Sequence, residues 1–130
     1  MKEILVPISP GELLDKITIL EIKAERIDKP EKVANVRHEL ESLSKVWSDS
    51  VTEDKVVADL HRQLKTINEE LWEIEDDIRD EERQNSFGEK FIALARAVYV
   101  NNDKRAQAKK EVNLHLGSEI IEEKSYRNYR

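Results

Sequence analysis

The sequence predicts an all-α protein: an antiparallel bundle of four or five helices with one very long third helix and a short extended N-terminal arm. Three Gly and three Pro in 130 residues are well below average usage, so turns are few and the elements between them are long, as helices are. Apolar residues recur at spacings of three and four over most of the chain, which is the period of an amphipathic helix. A chain of this length buries a sufficient core as a single domain, residues 1–130, without disulfide or metal support.

Composition and short motifs exclude several kinds of chemistry. The chain has no Cys, which excludes thiolate catalysis, iron–sulfur clusters and Cys-based zinc sites. None of the three His stands in a Glu-x-x-His or His-Glu-x-x-His motif, and each Gly is isolated, so no phosphate-binding loop is present. We therefore expect no metal and no cofactor, and the sequence identifies no catalytic residue.

The chain also lacks the signals of a membrane or secreted protein. Its longest uninterrupted apolar stretch is residues 91–95, far short of the ~20 residues of a membrane-spanning helix, and its first residues do not resemble a secretory signal. We therefore expect a cytoplasmic protein without a membrane partner. The net charge of −6 likewise argues against nucleic acid as a partner.

Breaks in the apolar pattern give the predicted elements. The N-terminal arm, residues 1–9, should be extended, because Pro7 removes an amide donor and restricts Val6. The predicted helices cover residues 10–28, 30–48, 52–84, 87–101 and 103–116, and residues 118–130 form a short turn and a tail that is either frayed or docked by its tyrosines. The first helix begins with a capping box, in which Ser9 accepts a hydrogen bond from the amide of Glu12 while the Glu12 side chain reaches back.

The third and fourth predicted helices set the expected packing. An unbroken heptad seam runs from Val57 to Ile78. The helix predicted around it, residues 52–84, would be about 50 Å long. Since the other helices are too short to cover it singly, we expect a homodimer through the third helix. Residues 87–101 are the most apolar part of the chain and should be the best buried. Asn101, Asn102 and Asp103 should end this helix and cap the fifth.

Two polar clusters are candidates for a ligand site. Residues 69–83 contain nine acids and two Arg. Within them Glu75 and Arg79 lie four apart beside the apolar stripe, either as a surface salt bridge or as a functional pair facing a cleft. In the predicted fifth helix, polar donors repeat on one face, namely Asn102, Arg105, Lys109 and Asn113. This face either binds a small anion or simply neutralises the acidic helix across the bundle.

Long blocks of the sequence resemble one protein family. A family of small uncharacterised bacterial proteins, a domain of unknown function, is similar to the blocks GELLDKITILEIKAERI at 11–27, LWEIEDDIRDEE at 71–82, FGEKFIALARAVYVNNDKRAQAKKEVN at 87–113 and GSEIIEEKSYR at 117–127. The resemblance implies a helical fold. It also implies stand-alone chains, or domains attached to tetratricopeptide or glycosyltransferase-like proteins in surface-polysaccharide contexts. It implies no activity, but its blocks include all six candidate ligand-binding residues.

A second resemblance, to the all-helical chorismate mutases, rests on the first helix, which mixes Leu and Ile with spaced cations. It implies that Lys16, Lys23 and Arg26 are positioned around a dicarboxylate. Two functions from different classes therefore stay open. The first is a non-enzymatic interaction or accessory module whose charged helical faces bind a partner protein. The second is an enzyme or binding protein for a small anionic metabolite, a chorismate-mutase-like or sugar-phosphate ligand, with the six candidate residues as its site.

Overall fold

The computed structural model describes residues 1–129, which contain four α-helices and no strand. The helices are α1 (Pro10–Arg26), α2 (Pro30–Ser50), α3 (Lys55–Arg83) and α4 (Glu89–His115). Residues 1–9 precede α1 without regular structure. The all-α class is confirmed, and Arg130, at the end of the predicted tail, lies outside the described residues.

The packing is organised by α1, which contacts α2, α3 and α4, while α3 also contacts α4. Apolar side chains from all four helices meet in one buried cluster. Its members are Leu13, Leu14, Ile17, Trp47, Val57, Leu60, Leu64, Ala108 and Val112. Trp47 is the residue that α2 contributes to the cluster, and the other side chains of α2 are exposed or half-buried. The core therefore lies where α1 covers the first half of α3 and the second half of α4.

Side-chain caps begin α1 and α3, and they bring two corrections to the prediction. Ser9 Oγ accepts a hydrogen bond from the amide of Glu12 at 3.2 Å, as predicted. The Glu12 carboxylate, however, binds Lys109 Nζ at 2.6 Å instead of reaching back, because a cation of α4 lies within its range. The N-cap of α3 is Asp54, whose Oδ1 accepts the amide of Val57 at 2.9 Å. Consequently α3 begins three residues later than predicted.

The largest departure from the predicted helices is in α4. Asn101, Asn102 and Asp103 do not end a helix, since α4 is continuous over its 27 residues. The buried Asn101 side chain donates from Nδ2 to the Ala97 carbonyl at 2.8 Å, so it turns back on its own helix instead of capping a new one. Packing of α4 against α1 and α3 outweighs the modest helix propensity of Asn and Asp.

The continuity of α4 bears on the homodimer that was predicted from the length of α3. The two helices α3 and α4 have 29 and 27 residues, so α4 is nearly as long as the helix it contacts. The length of α3 by itself therefore gives no reason for a second subunit. What remains is a pair of long contacting helices, α3 and α4, that α1 covers only in part.

The prediction that residues 87–101 are the best buried part of the chain is wrong. No residue from 87 to 100 is buried, and Phe87 and Ile92 are 51% and 53% exposed. The reason is the extent of α1, which ends at Arg26. The Arg26 guanidinium reaches the carboxylates of Glu69 and Glu73 at 3.7 and 3.5 Å. Beyond that point α3 and α4 have only each other as a cover, and two helices alone cannot bury an apolar face.

The C-terminal segment, residues 117–129, lies across α4, and we call it the tail strap. Gly117, at φ 65°, turns the chain after α4 in a conformation that favours Gly. Contacts to α4 are Glu122 with Lys109 at 3.2 Å, Lys124 with Asp103 at 2.5 Å, and Tyr129 against Tyr99 with ring centroids 5.0 Å apart. Of the two tail tyrosines, Tyr129 therefore docks on α4, whereas Tyr126 is 84% exposed.

Candidate functional site

The polar side of the α1–α4 contact is built around Gly11. Its amide donates to Asn113 Oδ1 at 2.7 Å. A Cβ at this position would lie 2.8 Å from that oxygen and would overlap the Lys109 carbonyl. The position of a Cβ at residue 11 is thus taken by atoms of α4. Only Gly, which has no Cβ, permits the two helices to approach this closely. The approach aligns the first turns of α1 with the second half of α4 and brings their polar side chains together.

Asp15 and Arg105 form the buried ion pair of this contact. Arg105 donates from Nε to Asp15 Oδ1 at 2.9 Å and from Nη2 to Oδ2 at 2.5 Å, a bidentate geometry. From α3, Asn68 donates to the same Oδ1 at 2.9 Å and to Thr18 Oγ1 at 3.0 Å. Asp15 is 1% exposed, and its hydrogen bond raises the pKa of Arg105. This network joins α1, α3 and α4.

Lys109 lies one helical turn after Arg105 and joins α1 to the tail strap. Its Nζ donates to Glu12 Oε2 at 2.6 Å and to Glu122 Oε2 at 3.2 Å. Burial is the largest single effect on Glu12 and Lys109 and opposes charge on both, but their hydrogen bonds and the attraction of neighbouring opposite charges together outweigh it. The pKa of Glu12 is therefore lowered and the pKa of Lys109 is raised. Lys109 is therefore a cation shared by two carboxylates, one on α1 and one on the strap.

A groove of about 1090 Å³ opens beside this ion-pair layer, between α4 and the tail strap. Its polar lining includes Glu12, Asn102, Arg105, Lys109, Lys110 and Asn113 on one side and Glu122, Glu123, Lys124 and Arg127 on the other. Within residues 1–129, Asn102 makes no side-chain hydrogen bond, and neither Lys110 nor Arg127 makes an ion pair. The groove thus has an inner layer of paired groups and, further out, three donors without an ion pair or side-chain hydrogen bond within residues 1–129, together with the carboxylate of Glu123.

Four of the six predicted ligand-binding residues line this groove, namely Asn102, Arg105, Lys109 and Asn113. Three of these are already engaged with α1. Glu75 and Arg79 bind each other on the exposed surface of α3 and line neither this groove nor the second one, of about 950 Å³, between α3 and α4. The alternative that the basic stripe neutralises the acidic part of α3 is wrong, because Arg105 and Lys109 pair with Asp15 and Glu12 of α1 and with Glu122 of the tail strap.

The ion-pair partners on α1, Glu12 and Asp15, are not among the predicted site residues. The sequence prediction assigns Glu12 only to the helix cap and gives Asp15 no role. A signal was present, because Asp15 lies between Leu14 and Ile17 in the apolar stripe of α1. A carboxylate on a core-facing position requires a charged or hydrogen-bonding partner. The identity of that partner is not readable from α1.

The three cations of the chorismate-mutase resemblance line neither of the two grooves described above. Lys16 lies 3.7 Å from the Glu12 carboxylate, and Arg26 binds the acidic residues of α3. Within residues 1–129, Lys23 makes no ion pair. None of the three lines the groove beside the tail strap. The cations that do meet there come from α4 and the strap.

The described part of the chain offers neither a cluster of metal ligands nor a membrane span. No group of three His, Asp or Glu in residues 1–129 is placed to hold a metal ion. Over the same residues, no helix combines the length and the apolar character that crossing a bilayer requires.

Comparison with known proteins assigns the chain to a family. A family of unknown function, DUF6165, matches residues 4–129. The chain belongs to this family. No curated protein and no solved structure matches it. The match extends over the α1–α4 polar contact, the two contacting helices α3 and α4 and the whole tail strap, so all three features lie within the extent of the family.

Proposed function

We propose that this chain is a non-enzymatic interaction module that binds a basic amphipathic helix of a partner protein at the turn end of the α3–α4 hairpin. We call this surface the apolar tip. It consists of Leu71, Ile74 and Ile78 of α3 together with Phe87, Phe91, Ile92, Leu94 and Val98. The observation that carries the proposal is that the most apolar segment of the chain, residues 87–100, contains no buried residue.

The shape of the apolar tip suits a helix as the partner. Residues 91, 94 and 98 recur at helical spacing along one side of α4 and are all half-buried. The rings of Phe87 and Phe91 pack edge to face, with centroids 5.3 Å apart. Aromatic side chains held in this way are effective anchors at interfaces. An apolar surface along a two-helix hairpin is the kind of site in which an amphipathic helix buries its apolar side.

The charge of the apolar tip selects a basic partner. Between residues 69 and 98 the sequence has ten carboxylates and four cations, a net charge of −6 that equals that of the whole chain. Within residues 1–129, Glu70, Asp76, Asp77 and Glu82 make no ion pair. A helix with Lys and Arg beside its apolar stripe would meet these carboxylates at the rim and be steered toward the tip.

A second copy of this chain is the rival occupant of the apolar tip, and it corresponds to the homodimer predicted through the third helix. Residues 69–98, which surround the apolar tip, carry a charge of −6 in each copy, so two copies repel each other and self-association should strengthen as salt screens the repulsion. Binding of a basic helix should weaken under the same change. The sign of the salt dependence therefore distinguishes the two occupants.

The proposal includes the expected arrangement and setting of the module. The order of the contacts between α1 and α4 supports an antiparallel bundle. Gly11 binds Asn113, and Asp15, which comes later in α1, binds Arg105, which comes earlier in α4. The resemblance stated above supports a bacterial, cytoplasmic module. In that setting it would act alone or attached to tetratricopeptide or glycosyltransferase-like chains in a surface-polysaccharide context.

The test uses a synthetic helix of alternating Leu and Lys blocks, about 20 residues long, as the probe, and isothermal titration calorimetry as the assay. We expect binding to the wild type. Binding should be at least tenfold weaker in the double variant Phe87→Ser, Ile92→Ser, because two partly exposed apolar side chains would no longer be buried on binding.

Matched controls distinguish binding at the apolar tip from nonspecific hydrophobic binding. Leu114→Ser removes an apolar side chain that is 59% exposed at the other end of α4, and it should leave binding unchanged. A Leu/Glu peptide of the same length should not bind. The proposal fails if Leu114→Ser and the double variant weaken binding equally, or if the wild type ignores the Lys peptide and instead dimerises more tightly as salt is added.

A further inference from the structure

The groove beside the tail strap contains an anion that belongs to the chain itself. The Glu122 carboxylate lies 3.2 Å from Lys109 Nζ, and 65% of the Glu122 side chain is exposed, compared with 14% of Lys109. The cation is therefore fixed in the α1–α4 contact, whereas its second partner reaches it from solvent. An exposed ion pair of this kind contributes little to stability, so Glu122 is a weakly held occupant of an anion-binding position.

The surroundings of Lys109 supply donors that the chain does not use. Lys110 follows Lys109 on α4, and Arg127 approaches from the tail strap. Neither makes an ion pair within residues 1–129, although both line the groove with the Asn102 amide. The volume of about 1090 Å³ slightly exceeds the roughly 300–1,000 Å³ of typical small-molecule sites. The groove is therefore larger than the space that one carboxylate fills.

We propose that this groove binds a small phosphorylated metabolite, whose phosphate takes the place of the Glu122 carboxylate on Lys109 and is also contacted by Lys110 and Arg127. A phosphate has more negative charge and more acceptor oxygens than a carboxylate, and Arg binds it with two parallel hydrogen bonds. The ligand thereby displaces Glu122 from Lys109, while Asp103 and Tyr99 still hold the strap at its other contacts. This site is separate from the apolar tip and stands without the proposed function.

The experiment titrates fructose 1,6-bisphosphate and, separately, inorganic pyrophosphate into the full chain by isothermal titration calorimetry. Glu122→Gln removes the internal competitor and should tighten binding by about two- to fivefold, the range that an exposed ion pair permits. Lys110→Gln and Arg127→Gln each remove a donor and should weaken binding by about three- to tenfold. Arg105 is unsuitable as a test position because it also holds Asp15.

Controls of equal charge change lie outside the groove. Glu119→Gln and Lys32→Gln alter exposed side chains that make no ion pair within residues 1–129, and each should leave the affinity within twofold of the wild type. The proposal is overturned if Glu122→Gln weakens binding, if Lys32→Gln weakens it as much as Lys110→Gln does, or if neither compound binds the wild type or Glu122→Gln at millimolar concentration. Loss of peptide binding in the Phe87→Ser, Ile92→Ser variant leaves this result untouched.

Discussion

Removing the guanidinium of Arg105 is the sharpest test of the α1–α4 contact. In Arg105→Ala the Asp15 carboxylate, 1% exposed, keeps Asn68 as a partner but loses both hydrogen bonds from the cation. A buried charge left without its counter-ion costs about 3–5 kcal/mol. The Arg105 side chain is 30% exposed, so water can enter the space it leaves. We therefore expect a loss of about 2–4 kcal/mol in the free energy of unfolding.

The same figure gives the expected change in melting temperature. A chain of 130 residues has an unfolding entropy of about 0.27 kcal/mol per kelvin, so the loss corresponds to a decrease of about 7–15 °C. Urea unfolding followed by circular dichroism and by Trp fluorescence measures the free energy directly. Lys104→Ala, which removes a neighbouring exposed cation, should change it by no more than about 0.5 kcal/mol.

A double variant checks the cause of the loss. In Asp15→Asn, Arg105→Ala the buried charge is removed together with its partner, so this variant should be more stable than Arg105→Ala by at least about 1 kcal/mol. The reasoning would be refuted if Arg105→Ala cost less than about 0.5 kcal/mol. It would also be refuted if the double variant were no more stable than the single one.

Two further predictions concern stability. Gly11→Ala should destabilise the protein by about 1–3 kcal/mol in urea unfolding, despite the better helix propensity of Ala, because the added methyl overlaps the Lys109 carbonyl. Gly88→Ala, where a methyl would contact nothing, should cost less, and an equal cost would contradict the overlap. The hydrogen bond between His61 and Glu21, at 2.7 Å, raises the pKa of His61 above its ordinary value of 6.5 despite burial. Its contribution to stability is therefore complete below pH 6.5 and is lost as the pH rises through the raised pKa. Unfolding free energies measured across this range should decrease in the wild type, and a slope of the same size in His61→Gln would exclude this origin.

The helices were largely predictable because their signals are local. Apolar spacing and the Ser9 cap belong to neighbouring residues, and the start of α1 follows from them. The break predicted at residues 101–103 was wrong for a reason that is not local. Asn and Asp favour caps in isolated helices, but packing of α4 on α1 and α3 decides the outcome here.

The candidate site was predictable on one helix and not across helices. The three- and four-residue spacing of Asn102, Arg105, Lys109 and Asn113 indicated a shared face, and these residues do line one groove. Their partners were missed because Arg105 binds a residue 90 positions away in the chain. The spacing of residues within one helix carries no information about a contact between residues so far apart in the chain.

The apolar tip shows a related limit. Sequence indicates that residues 87–100 are apolar, but burial depends on which other element covers them. The end of α1 at Arg26 leaves them uncovered, and this follows from three-dimensional placement alone. The same mismatch between composition and burial is what supports an interaction surface at this position.

Hydrogen–deuterium exchange of the full chain, with and without the Leu/Lys helix, tests the interaction module most directly. The account predicts slower exchange in residues 69–98, which include the apolar tip, and unchanged exchange in the tail strap and in residues 101–116. Protection confined to the strap or to residues 1–9, with none at the tip, would contradict it.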